Sequence, residues 1–473
     1  MAASPLAPAW LNFPNDVNTL REIEWATGVA RGADGQLAVQ GIPVAQLAQE
    51  FGTPLFVLDE NDFRARAAGF KTAFDAAFKD LCGGVDVYYA GKAFLCTKVA
   101  RWVTAEGLRL DTCSGGELAV AAAAGVPGEN LSLHGNNKSA AEITRAIETG
   151  VGRIVVDSLD ELERVIRIAD ALGQRANVML RITPGVHAST HEAIATAHED
   201  QKFGLSVLAN DSGTSPALDA VARALDADNV NLLGLHAHIG SQIFEAEGFA
   251  MAARTMLGIL AQIRQLHGVE LGELDLGGGY GIAYTLQDHP STPVKLAAQM
   301  AQVVSATCAE LDLACPRISI EPGRAIAGPS TFTLYEAGVR KDVQVEDASG
   351  TLHPRRYLSV DGGMSDNPRP VLYDAQYTAV LASRVTRSDV IISRVVGKHC
   401  ESGDIVVKDV YLPEDVAAGD LLAVPATGAY CWALSSNYNY LTRPAVVAVR
   451  DGQARLIVRR ETEADLLARD MGV

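Results

Sequence analysis

The chain has 473 residues, 48% of them hydrophobic and 21% charged, enough length and apolar material for two domains or more with sizeable cores. With 57 acidic against 40 basic side chains the formal net charge is −17, and no Lys/Arg block forms a basic patch, which argues against nucleic acid as a partner. No stretch reaches the roughly 18–20 apolar residues of a spanning helix, and the opening MAASPLAPAWLNFPND lacks a basic segment followed by an apolar one, so the expectation is a cytoplasmic protein with no membrane partner.

In chain order, the first turn signal is Asp34-Gly35, joining short runs that are expected to pair with a carboxy-terminal sheet. From residue 85 to 325 a β-branched or apolar run repeatedly precedes a helix-like segment. The runs are DVYYAGKA from Asp86, LRLDTCS from Leu108, LSLHG from Leu131, RIVVDS from Arg153, NVMLRITP from Asn177, NLLGLHAHIG from Asn231, ELDLGGG from Glu273 and RISIEPG from Arg317. Helical spacing predicts helices over Ala140–Thr149, Leu159–Leu172 and Phe249–Leu266. This is the count of a (β/α)8 barrel, with a doubly wound open sheet as the competing topology. The stretch Thr183 to Leu205 is a long polar connection of the kind that forms lids. Beyond Pro322 the texture turns to strands, and VVAVR and ARLIVRR flank Asp451-Gly452 as a closing hairpin. The expected architecture is α/β plus all-β: a barrel over 62–328 inserted into a discontinuous β domain of 1–61 and 329–473. The seven cysteines (Cys82, Cys96, Cys113, Cys308, Cys315, Cys400, Cys431) are odd in number and scattered, so mostly reduced core thiols are expected, without a disulfide framework or zinc site.

Lys92 falls near the carboxyl end of the first barrel strand, where barrel enzymes gather catalytic groups; a desolvated lysine suits Schiff-base chemistry, and a lysine snorkelling to solvent is the plainer alternative. Gly277-Gly278-Gly279 follows the seventh strand, where consecutive glycines let backbone N–H groups converge on an anion, or else simply make a tight turn. Glu321-Pro322-Gly323-Arg324 closes the eighth strand with a carboxylate suited to a protonated ring nitrogen and a guanidinium, or with a plain ion pair. His236 and His238 share one face of the sixth strand; no further ligands stand at metal spacing, so an imidazole stacked on a flat cofactor or hydrogen-bonded in the core is expected, and no metal. His191-Glu192 with His198 lacks the zincin spacing. DNPRP at 366–370 and CESGD at 400–404 are polar turns in which Arg369 could grip a carboxylate, Glu401 an ammonium, and Cys400 could pass a proton.

Taken in order, YYAGKA, DTCSGGEL, HGNNKS, RITPGV, THEAIATAHEDQKFGLS, GLHAHIGSQ, DLGGGYG, EPGR, DGGMSDNPRP, CESGD and GAYCWALSSNYN resemble the fold-type III, alanine racemase-like decarboxylases that use pyridoxal 5'-phosphate. The resemblance implies that Lys92 binds the cofactor covalently, Asp111 orients that lysine, His238 stacks on the ring and Arg181 lies near its phenolic oxygen. By the same likeness Ser241, Gly277, Gly278 and Gly279, with the backbone from Glu321 through Gly323 to Arg324, cradle the phosphate. Glu321 partners the pyridine nitrogen, and Tyr430 touches cofactor and substrate. Arg324, Arg369 and Tyr373 resemble carboxylate anchors, Glu401 the anchor of a far ammonium, and Cys400 the proton donor. A zwitterionic far end favours a carboxy-lyase turning meso-2,6-diaminopimelate into L-lysine and CO2, the last step of lysine biosynthesis, over one acting on ornithine, arginine or carboxynorspermidine. The family is homodimeric, with Cys400 and Glu401 at positions that reach the partner's site. AHEDQ before Lys202-Phe203-Gly204 departs from the shorter version of many relatives.

Overall fold

The computed structural model describes residues 3–185, 201–209, 213–244 and 246–472. The long polar connection, with His191, Glu192, His198 and most of AHEDQ, lies largely outside them. The chain forms two compact units: Met1–Ala65 with Ile282–His289 and Ile326–Val473, and Arg66–Gly281 with Pro290–Ala325.

The amino-terminal strands are β1 (Val29–Arg31), β2 (Leu37–Val39), β3 (Ile42–Pro43) and β4 (Leu55–Asp59). In the second unit follow β5 (Val85–Ala90), β6 (Arg109–Thr112), β7 (Leu131–Leu133), β8 (Arg153–Val156), β9 (Ala176–Thr183), the short β10 (Leu205–Ser206), β11 (Val230–His236), β12 (Glu273–Asp275) and β13 (Arg317–Ile320). All eight predicted runs are strands. They pair in parallel in the order β5-β6-β7-β8-β9-β11-β12-β13, and β13 pairs back to β5, so the sheet closes into a barrel and the open-sheet topology is excluded. Helices cover the strands' outer faces, so nearly every strand residue is buried and the runs read as continuously apolar. The helix predicted over Ala140–Thr149 is Ala140–Glu148, started by a Ser139/Glu142 capping box; Leu159–Leu172 is as predicted, ending at Gly173 in the left-handed conformation; Phe249–Leu266 lies within Ala246–His267. Because the strands are parallel, their polar carboxyl ends, from Asp111 in β6 to Glu321 after β13, collect at one rim.

The other unit continues with β14 (Thr331–Glu346), β15 (Leu352–Val360), β16 (Val380–Leu381), β17 (Val390–Val396), β18 (Ile405–Pro413), β19 (Leu421–Val424), β20 (Ala445–Arg450) and β21 (Gln453–Val458). The order β18-β17-β15-β14-β4-β20-β21 makes one large sheet. Asp451 and Gly452 both take positive φ, 51° and 72°, and β20–β21 is the hairpin predicted there. One expectation is corrected. The runs about Asp34-Gly35 form their own three-stranded sheet, β1-β2-β3, and it is β4 that enters the large sheet, antiparallel to β14 and parallel to β20. The reason is burial: Leu55–Asp59 is buried at every position and belongs mid-sheet, whereas β1 is half-buried or exposed throughout and the short β2 packs Leu37 and Val39 onto a core with Trp25, Phe332 and Val447.

The cysteine expectation, that most thiols are reduced, is corrected at one pair. Cys82 and Cys315, 233 residues apart, are disulfide-bonded with Cα atoms 4.4 Å apart. Each lies just before a barrel strand, and those strands, β5 and β13, are neighbours only once the barrel closes. Of the cysteines outside that bond, Cys308 and Cys431 are buried, Cys96 is intermediate, and Cys113 and Cys400 are exposed.

Candidate active site

Lys92 sits in a one-turn helix, Gly91–Ala93, just past β5, and its side chain is exposed rather than held in a dry pocket. Its positive charge nevertheless acts on Asp111, Glu321 and His238, which face the same rim. Burial pushes the Asp111 carboxyl well up, with repulsion from Asp275 adding to it; burial and then Asp111 push the Glu321 carboxyl up. Around these carboxyls stand three imidazoles that burial keeps neutral. The His134 value falls to about 4, and His236 and His238 lie well below the usual range.

Hydrogen bonds organise the cluster. His134 Nε2 lies 3.1 Å from Asp111 Oδ1, 2.8 Å from Ser132 Oγ and 3.4 Å from Glu321 Oε1, and His236 Nε2 lies 3.0 Å from that same Oε1. His134, His236 and Glu321 thus bring three donor atoms within 4.8 Å of one another, a grouping assembled from three separate strands and hidden from sequence spacing. His236 had been singled out in the sequence; His134 had not, although it lies in HGNNKS. In that motif Lys138 is structural: it is buried and its Nζ is 3.0 Å from Glu161 Oε2.

The glycine loop is committed inside the protein. Gly277 N–H donates to Asp275 Oδ1 at 2.7 Å and Gly278 N–H to His238 Nδ1 at 3.2 Å, so for these two positions the need for glycine is close approach rather than a free N–H. A Cβ at Gly277, where φ is +69°, would stand 3.1 Å from His238 Nδ1, and one at Gly278 would overlap the Glu321 carbonyl oxygen. A Cβ at Gly323 would stand 2.9 Å from that of Ala90. Beside the loop, Arg324 Nη2 donates to Ser241 Oγ at 2.7 Å. Arg181, at the end of β9, is buried, 3.8 Å from Asp157 Oδ1 and 4.2 Å over the Phe203 ring.

The remaining predicted residues belong to the sheet-rich unit. Arg369 opens the short helix Arg369–Tyr373; it is buried, donates to Tyr377 Oη, and lies 4.7 Å over the Tyr284 ring. Tyr373, at the end of that helix, is exposed, as are Cys400 and Glu401 on the turn between β17 and β18. Tyr430 holds a positive φ of 62°. Asp404 and His399 were not singled out, yet they hold the CESGD turn. Asp404 accepts from His399 Nδ1 at 2.9 Å, from the His399 N–H at 2.8 Å and from the Met364 N–H at 2.6 Å, while Asn439 Oδ1 accepts from the Cys400 N–H at 3.0 Å.

Within DNPRP, Asp366 accepts hydrogen bonds from Tyr335 Oη and from the Gly363 N–H, and burial pushes its carboxyl up to about 7; burial does the same to Glu24 of this unit. A folded-state value raised from 3.8 favours the protonated acid, so the stabilisation is complete below pH 3.8 and is lost as pH rises through about 7. Thermal melts of the parent between pH 5 and 8 should therefore fall with pH, and Asp366→Asn should flatten that slope in part, Glu24 and the other raised carboxyls such as Asp111 and Glu321 contributing to the rest. A variant with the parent's full slope would show that Asp366 is ionised throughout.

The donor set fits pyridoxal phosphate: an accessible amine, a buried carboxyl able to partner a ring nitrogen, an imidazole pinned at Nδ1, a crowded glycine turn, and a hydroxyl–guanidinium pair. Among the described residues, no helix is long and apolar enough to cross a membrane. Residues 62–328 match the family model described as pyridoxal-dependent decarboxylase, pyridoxal binding domain, and 337–428 the C-terminal sheet domain of the same family. The chain is 52% identical over 458 residues to the diaminopimelate decarboxylase of Mycobacterium tuberculosis, covering 96% of this chain and 99% of that one. It is 41% identical to that of Bacillus subtilis over 437 residues, 92% and 95% of the two chains. The crystal structure of diaminopimelate decarboxylase from M. jannaschii in complex with L-lysine superposes with a TM-score of 0.85 at 31% identity, covering 94% of this chain and 98% of that one. Barrel, sheet domain, site chemistry and these likenesses agree: the chain belongs to the pyridoxal-dependent decarboxylase family.

Proposed function

We propose that the protein decarboxylates meso-2,6-diaminopimelate to L-lysine and CO2, the closing step of lysine biosynthesis, as a cytoplasmic homodimer with active sites shared across its interface. Residues 62–328 form the cofactor domain in this reading, and 1–61 with 329–473 the β domain. The observation that carries it is the 52% identity, over nearly the whole of both chains, to a diaminopimelate decarboxylase. The lysine held by the M. jannaschii relative adds the product's chemistry.

When bound, pyridoxal phosphate supplies an electron sink for the pair left behind by the departing carboxylate. This chain's residues hold and aim the reactants. Lys92 offers the amine that anchors the cofactor and yields it to the substrate amine, with Asp111 orienting that lysine. With the cofactor bound, Glu321 would hold a proton at the ring nitrogen, His238 would lie against the ring and Arg181 would serve its phenolic oxygen. Ser241, Gly279, Gly323 and Arg324 would hold the phosphate, with Gly277 and Gly278 giving the turn its close approach rather than donating N–H groups to it. Arg324, Arg369 and Tyr373 grip substrate carboxylate, Glu401 the far ammonium, and Tyr430 touches both substrate and cofactor. Cys400 returns a proton to the carbon that lost CO2.

Purified enzyme with added pyridoxal phosphate should release CO2 from meso-diaminopimelate and not from ornithine, arginine or lysine at equal concentration. Release from ornithine or arginine instead would keep the cofactor site and overturn the roles of Arg369 and Glu401. Silence with all four would overturn the substrate and leave carboxynorspermidine to be tried.

A further inference from the structure

His236 is the last residue of β11 and only 1% exposed. Its Nε2 lies 3.0 Å from Glu321 Oε1, while its Nδ1 is buried and has no hydrogen-bond partner. A doubly protonated ring would bury an unpaired N–H, whereas a neutral ring carrying its proton on Nε2 leaves only a lone pair unmatched. Burial, the largest effect, acts in the same direction, as do the cations of Arg181 and Arg153, against the opposing charge of Asp275. The ring is therefore a neutral, permanent donor to Oε1. His134, edge-on to His236 with ring centroids 5.1 Å apart, approaches the same oxygen. Among the described residues, every hydrogen bond and ion pair to the Glu321 carboxylate falls on Oε1.

We propose that His236 is a positioning residue for the cofactor: its fixed Nε2–H holds Glu321 by Oε1, favours the ionised carboxylate against the cost of burial, and presents the other oxygen to the pyridine nitrogen. Carboxylates accept stronger hydrogen bonds than carboxylic acids, so a donor locked at Oε1 biases the group toward charge. It also restricts rotation of the carboxylate about its last bond. This rests on the reading that Glu321 faces the pyridine nitrogen.

The test compares His236→Gln, whose amide nitrogen reaches about as far as Nε2, with His236→Asn, whose amide stops at the position of Nδ1. Both are polar and similar in their burden on folding, which thermal melts of the two would verify. The readouts are the visible absorption band of the lysine-held cofactor and cofactor dissociation measured by fluorescence. His236→Asn should shift the band and weaken retention about 10- to 100-fold. His236→Gln should stay within a few-fold of the parent, and in a Glu321→Gln background the Asn change should add little. Equal losses in the Gln and Asn variants, or additivity with Glu321→Gln, would overturn the proposal. If Glu321→Gln itself leaves band and retention at parental values, the placement of Glu321 at the ring nitrogen falls, and the positioning role with it.

Discussion

Lys92→Ala is expected to purify without covalently held cofactor and to lose turnover on the order of 10³-fold or more. The lysine stands alone on a one-turn helix past β5, in the field of two buried carboxyls, Asp111 and Glu321, which its charge relieves. Removing the amine takes away the nucleophile and also that relief, so both carboxyls should hold their protons to still higher pH. Lys92→Arg separates the two effects, because a guanidinium keeps the charge and stays protonated, unable to act as a nucleophile. The Arg variant should be as inactive as the Ala variant while binding the cofactor more tightly, without a covalent bond. Borohydride reduction of the parent followed by peptide mapping should place the cofactor's mass on the peptide containing Lys92. A Lys92→Ala protein with parental activity, or a reduced adduct on another lysine, would sink the assignment.

How much of this was legible beforehand depends on how far apart the cooperating residues lie in sequence. The barrel strands could be read because each carries its signal within a few residues: RIVVDS and NVMLRITP are β-branched runs ending in polar side chains, and each is a strand. The β20–β21 hairpin could be read from Asp451-Gly452 for the same reason. Closure could not, since the β5–β13 pairing that separates barrel from open sheet leaves no mark in either strand. The Cys82–Cys315 bond and the joint hold of His134 and His236 on Glu321 were invisible likewise, being made by neighbours around the barrel or across it. The placement of β1 was misread because a turn pair announces a hairpin without saying which sheet it joins; full burial of Leu55–Asp59 was the better clue. Lys92, Glu321 and the glycines were legible as chemistry from their strand ends, and Arg369 as a possible carboxylate grip in a polar turn, whereas Tyr373 and Tyr430 entered only through resemblance; the surroundings of Arg369 are built from separate segments that carry Tyr284 and Tyr377.

The largest stability effect is expected at Asp275, at the end of β12. Its carboxylate meets the guanidinium of Arg153 from β8, and both side chains are fully buried inside the barrel. Arg153 is satisfied all round: it donates to Ser319 Oγ at 3.0 Å and to Ser132 Oγ at 3.4 Å, and lies 3.9 Å over the Tyr88 ring. A buried pair of this kind contributes little net stability against an apolar replacement, but breaking it strands a charge at a cost of about 3–5 kcal/mol. Asp275→Asn should lower the unfolding free energy of the barrel by an amount of that order, read from denaturant titration. Since an Asn carbonyl can still accept the Gly277 N–H, the glycine turn should keep its shape and the folded fraction its cofactor. Asp275→Ala removes that acceptor too, and should weaken cofactor retention as well as stability. Arg153→Met combined with Asp275→Leu takes out both charges at once and should recover much of the lost stability while leaving retention impaired, because the Gly277 N–H remains without its acceptor. If the double variant proves no more stable than Asp275→Asn, the cost lies in packing rather than in the stranded charge. If Asp275→Ala retains cofactor as the Asn variant does, Asp275 supports the barrel without shaping the turn above it.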